Sequence, residues 1–357
     1  MEKSSTITDV AKKAGTSAAT VSRYLTNATK VSRATAARIE QAITELHYVR
    51  NRAAAATRSN RTGIIGMVVP TIENSIFAEL IESLNNQLRN HDRTMLIATN
   101  GYRKKDEIEA IKTFTEHGVD GVILVGCAHD EEIMNLLKNR QIPTLNVWNH
   151  IAGEDHNHGI NTIGVDNFEI GYTAAKHLIE LGHQKIACIF GNKQGNDRAE
   201  ARESGIRQAL SDHDISVRQS WFCHSSYDLN NARTITDYLL RDDEKPTAIM
   251  CGNDIIAFAA IWAAQAKGLH VPNDLSIMGI GDFQGAAEMT PALSTIRIPA
   301  RLIGKMTADK INAMLTQNDL DRNAITYNEI SQIQENQAQK LKVPFELKIR
   351  QSTARPS

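Results

Sequence analysis

The 357-residue sequence is poor in several features, and each shortage argues against a class of function. Its four cysteines, Cys127, Cys188, Cys223 and Cys251, stand singly in apolar stretches with no CxxC spacing. Buried free thiols in a reducing compartment are expected from them, with neither a metal site nor a disulfide framework. No apolar run approaches the ~20 residues that span a bilayer. The opening Met1-Glu2-Lys3-Ser4-Ser5 lacks the apolar segment of a secretory signal, so a cytoplasmic protein without a membrane partner is expected. GxxxxGK(S/T), HExxH and GxSxG do not occur, and Gly279-Ile280-Gly281-Asp282 lacks the later glycine of a dinucleotide loop. The histidines are scattered; His156 and His158 share a polar loop, where solvent contact is the expectation ahead of metal binding. An enzyme is not expected, and neither catalytic residues nor a cofactor are assigned.

What is present is unevenly distributed. Residues 1–60 hold ten Lys/Arg against four Asp/Glu, a balance of +6, so the overall net charge of −1 leaves −7 for the remainder. A basic end on an acidic body suits a polyanionic partner, although a solvated basic face would read the same from charge alone. Residues 6–47 carry three helical patterns and no strand-like alternation. Thr8 is placed as the cap of a first helix bearing Val10, Ala11 and Ala14, Ser17 as the cap of a second bearing Val21 and Leu25, and Ser32 as the cap of a third bearing Ile39, Ile43 and Leu46. Residues 51–58 are basic and alanine-rich, with helix propensity but no apolar face of their own.

From Gly63 the pattern becomes short apolar strands alternating with amphipathic helices. Strands are expected at 64–69, 94–98, 121–125, 144–148, 185–190, 248–251, 275–279 and 294–298. That alternation implies parallel sheets flanked by helices, and eight strands over nearly 300 residues imply two lobes. Ligands in such folds bind beyond the carboxyl ends of the strands, hence in a cleft between the lobes. Residues 317–341 are polar and lack an apolar heptad seam, so an exposed loop or frayed helix is expected there rather than a tetramerisation helix.

The segment Thr8-Asp9-Val10-Ala11-Lys12-Lys13-Ala14-Gly15-Thr16-Ser17-Ala18-Ala19-Thr20-Val21-Ser22-Arg23, with Leu25, Asn27 and Val31-Ser32, closely resembles the headpiece of the lactose-repressor (LacI/GalR) family. The resemblance continues through Asn51-Arg52, Thr62-Gly63-Ile64-Ile65-Gly66, Gly164-Val165-Asp166-Asn167, His177–His183, Ser276–Gly279 and Arg350–Ala354, so it runs in order through almost the whole chain. It implies an N-terminal all-α helix-turn-helix headpiece, residues 1–60, joined by a hinge helix, residues 51–58, to an α/β two-lobed periplasmic-binding-protein-like body with parallel sheets, residues 61–357. It further implies a homodimer on a palindromic double-stranded DNA operator, controlled by a small sugar or sugar-acid effector. A solute-binding sensor or transport protein without DNA function is the alternative, opposed by the basic headpiece.

The resemblance puts Ala18, Ala19 and Arg23 at base-reading positions; the alanines offer only methyl contacts, so Arg23 dominates readout. Thr20, Ser22, Asn27 and Ser32 are candidate phosphate contacts, and Thr8 and Ser17 also belong to the DNA-binding set. Asn51, Arg52, Ala54, Thr57 and Arg58 complete the DNA-binding set. Where the family usually has a proline and a minor-groove leucine, this chain has Arg50 and Thr57, so a shallower kink or compensation by Arg52 or Arg58 is expected. For the effector cleft the resemblance marks Asn74, Phe77, Trp148, Arg198, Arg202, Asn253 and Asp282. Phe77 fits a helix core equally well, and Arg198 fits an ion pair with Glu203 or another local acid as well as a ligand anion.

Overall fold

The computed structural model describes residues 5–49, 61–150, 159–241, 243–324 and 339–357; the hinge positions Asn51, Arg52, Ala54, Thr57 and Arg58 and the loop histidines His156 and His158 lie outside them. The chain divides into two compact units, Met1–Thr62 and Gly63–Ser357.

In the first unit, α1 (Ile7–Lys13), α2 (Ala18–Thr26) and α3 (Arg33–Glu45) enclose Val10, Ala11, Ala14, Val21, Ile39 and Ala42. Thr8 does not cap α1. Thr6 does, because Asp9 stands three residues on and completes a capping box: Asp9 N–H donates to Thr6 Oγ1 at 3.3 Å and Thr6 N–H donates to Asp9 Oδ2 at 2.9 Å. Thr8 is an exposed residue inside the helix. Thr6→Ala should lower headpiece stability by about 0.5–2 kcal/mol, read as a lower melting temperature of residues 1–62, whereas Thr8→Ala should leave it within about 0.5 kcal/mol.

The second unit has two six-stranded sheets among the described residues. The first runs β11 (Lys340–Lys342), β5 (Asn161–Val165), β4 (Thr144–Asn149), β3 (Gly121–Val125), β1 (Ile64–Val69), β2 (Thr94–Thr99), all parallel. The second runs β12 (Glu346–Lys348), β10 (Ser294–Arg297), β9 (Ser276–Gly281), β8 (Ala248–Cys251), β6 (Ile186–Gly191), β7 (Phe222–Ser225), parallel except where β12 meets β10. Strands such as Gly121–Val125 and Ala248–Cys251 are buried throughout, as apolar runs covered on both faces must be. Helices α4 (Ser75–Asn90), α5 (Lys104–Glu116), α6 (Glu131–Asn139) and α11 (Ala300–Ala324) serve the first sheet. Helices α7 (Asn167–Glu180), α8 (Asp197–Asp212), α9 (Leu229–Leu239) and α10 (Asp254–Ala266) serve the second. The chain crosses between the sheets three times, after β5, β10 and β11.

Four strands differ from the sequence reading. β5 and β7 carry polar residues, Asn161 and Thr162 in one and His224 and Ser225 in the other, and β11 and β12 are three-residue strands made by long-range pairing; β11 and the end of α11 occupy the ends of the segment expected to be loop or frayed helix.

Candidate functional site

In the headpiece, Ser17 Oγ accepts the Thr20 N–H at 3.1 Å and so starts α2; Asn27 Oδ1 accepts the Thr29 N–H at 3.0 Å, and Ser32 Oγ accepts the Thr35 N–H at 3.3 Å. These side chains are exposed, so each combines local capping with availability to an external anion. Val21 and Leu25 turn α2 inward, and the i, i+4 pair Ala19 and Arg23 faces solvent. Ala18 differs from Ala19: it is half-buried against the headpiece core, which leaves Ala19 as the freer methyl beside Arg23.

In the body, the carboxyl ends of the strands face each other across one small cavity. Six of the seven expected effector residues, Asn74, Phe77, Trp148, Arg198, Arg202 and Asn253, line it. Its free space is about 30 Å³, room for roughly one or two waters, so a ring-sized ligand enters only if the walls part. Trp148, the penultimate residue of β4, has φ +80°, a costly conformation for a bulky residue, and its ring lies 5.2 Å from that of Phe77. The two together form an aromatic wall that suits the face of a sugar or heterocycle.

Arg202 is buried, and its bonds go to neutral acceptors: Nε to Asn167 Oδ1 at 2.8 Å and Nη1 to the Gly252 carbonyl at 3.2 Å. Among the described residues no carboxylate lies within ion-pair distance of it. Burial pulls its pKa below the ordinary guanidinium value, the mark of a desolvated cation. Asn167 is held in turn by the Trp148 carbonyl at 3.3 Å and Asn149 Oδ1 at 3.1 Å, so the aromatic wall and the guanidinium are set by one hydrogen-bonded chain. Arg198 pairs with Asp197 at 2.8 Å and not with Glu203, whose carboxylate is committed to Lys193, Arg207 and His224.

Asp282, expected in the cleft, lies outside this cavity. Gly281, at φ +136°, precedes it, and its own φ is +55°; the carboxylate meets Arg297 at 2.6 Å and Arg350 at 2.7 Å. Two guanidiniums consume its charge. Sequence reasoning also missed Tyr102, Asn196 and Tyr227, which line the cavity. Asn196 had a readable signal as the cap of α8, whereas the two tyrosines sit in loops and meet, 5.8 Å apart, only after folding.

Residues 6–51 match the family model described as bacterial regulatory proteins, lacI family, and residues 62–345 match that of periplasmic binding proteins and the sugar-binding domain of the LacI family. The chain is 32% identical over 322 residues to the HTH-type transcriptional repressor PurR of Pectobacterium atrosepticum, covering 90% of this chain and 93% of that one. It is 33% identical over 353 residues to the HTH-type transcriptional regulator DegA of Bacillus subtilis, covering 98% of each. The lac repressor dimer, solved bound to operator and the anti-inducer ONPF, superposes with a TM-score of 0.81 at 23% identity, covering 99% of this chain and 100% of that one. The full-length sequence matches and the two-sheet body with its helical headpiece agree: the chain belongs to the LacI family of DNA-binding transcription regulators.

Proposed function

We propose that this regulator binds a palindromic operator as a homodimer and represses transcription, and that a small effector carrying one carboxylate, such as a sugar acid, sets its operator affinity from the cleft. The observation that carries the effector class is Arg202, a buried guanidinium in the cavity wall whose hydrogen-bond acceptors among the described residues are neutral. A carboxylate supplies what it lacks, and the Phe77–Trp148 wall packs against the ligand's carbon skeleton. Asn74, Asn196 and Asn253 supply amides for hydroxyls. Self-association is supported by large apolar side chains left exposed on the neighbouring helices α9 and α10, Tyr238 at 48% and Trp262 at 46%.

Isothermal calorimetry with aldonates, sugar phosphates and neutral sugars tests the effector class. Aldonates should bind to wild type and bind about 10- to 100-fold more weakly to Arg202→Met, the usual worth of a charge-assisted hydrogen bond. Binding of neutral sugars alone would sink the proposal.

A further inference from the structure

Helix α8 belongs to the second lobe, yet its first two side chains are spent on the first. Asp197 Oδ2 accepts the Cys127 backbone N–H at 2.8 Å and the Asn149 side-chain amide at 2.9 Å, both at strand ends of the first sheet. Its other oxygen accepts Arg198 Nη1 at 2.8 Å, and that nitrogen also reaches the Val125 carbonyl at 3.1 Å. One carboxylate therefore gathers an amide N–H, a side-chain amide and a guanidinium across the cleft. Gly126 makes room for them: a Cβ there would overlap Arg198 Nη1 and lie 2.8 Å from Asp197 Oδ1. Burial alone would raise the Asp197 carboxyl, but Arg198, Asn149 and the Cys127 amide hold it below the ordinary range, so it is an anion at neutral pH. A further polar tie between the lobes, Gln284 N–H to Ser75 Oγ at 3.2 Å, is exposed and uncharged.

We propose that Asp197 is a latch between the lobes, a positioning residue whose carboxylate fills the anion place beside Arg198 and holds the cleft closed until a ligand parts its walls. Because the anion belongs to the chain, Arg198 is neutralised from within, and Arg202 is left as the cavity guanidinium with no carboxylate at ion-pair distance among the described residues.

The Cys127 amide reports on the latch directly. Hydrogen exchange by mass spectrometry on the full-length protein should show this amide slow in wild type and unaffected by acetate. In Asp197→Ala it should exchange about 10- to 100-fold faster, the loss expected of a charged hydrogen bond. Acetate, which carries the carboxylate that this variant lacks, should slow it again. Asp197→Asn fills the same space without charge, so it should exchange faster than wild type and ignore acetate. Wild-type exchange in both variants overturns the latch, as does acceleration in Asp197→Ala that acetate does not reverse. If Asp197→Ala does not fold, Asp197→Asn decides alone: faster exchange supports the latch and wild-type exchange overturns it.

Discussion

Arg23→Ala should weaken binding to the operator by about 5- to 150-fold, the 1–3 kcal/mol of a bidentate arginine–guanine contact. The size follows from how few base-reading groups α2 offers. Its exposed face carries Ala19 and Arg23, while Ala18 leans on the core. Neither alanine can donate or accept a hydrogen bond to a base edge, so no neighbour replaces what Arg23 loses. The loss should be confined to specific binding. Thr20, Ser22, Asn27 and Ser32 carry the proposed phosphate contacts, and affinity for scrambled duplex should change far less. Arg23 is exposed, so the headpiece should melt within about 0.5 kcal/mol of wild type. Fluorescence anisotropy on operator and scrambled duplexes separates these outcomes; an equal loss on both would reassign Arg23 to the backbone.

Gly205→Ala should be the most disruptive single methyl in the body. Helices α7 and α8 cross with their backbones nearly touching: a Cβ on Gly205 would overlap the Phe168 carbonyl and lie 2.8 Å from the Tyr172 nitrogen, while one on Gly171 would overlap the Arg202 carbonyl. Backbone atoms cannot step aside by changing rotamer, so the helices must separate. Overpacking of this kind costs about 1–3 kcal/mol or more, and about 2–4 °C of melting temperature per kcal/mol for a domain of this size. The same separation withdraws Arg202 from the cavity, because Arg202 sits on α8 between its contacts to Asn167 and Gly252. Both stability and effector affinity should therefore fall. Ser204→Ala, at the exposed neighbouring position, is the control and should stay within about 0.5 kcal/mol. An unchanged melting temperature in Gly205→Ala would contradict the close crossing.

The headpiece was legible in the sequence because its determinants are local: caps at Ser17 and Ser32, and Val21 and Ile39 at helical spacing. The misplaced cap at Thr8 shows the limit, since two threonines compete two residues apart and only the reciprocal bond from Asp9 selects Thr6. Strands buried on both faces were legible as apolar runs. β7, half-exposed at a sheet edge, and the three-residue β11 and β12 were not, because their pairing partners lie far along the chain. The cavity positions Asn74, Trp148 and Asn253 were legible through the family resemblance, which marked them by motif. Asp282 and Asp197 show why the rest was not: which carboxylate serves the cleft and which is spent on Arg297 and Arg350 depends on the turn at Gly281 and on contact between lobes.

The most direct test is selection of duplexes from a random library by the full-length protein, followed by affinity measurements across salt on the winning sequence. The account predicts a two-fold symmetric site whose affinity falls steeply with salt and shifts when an aldonate is added. Recovery of no enriched sequence, or of one whose affinity ignores salt, would contradict it.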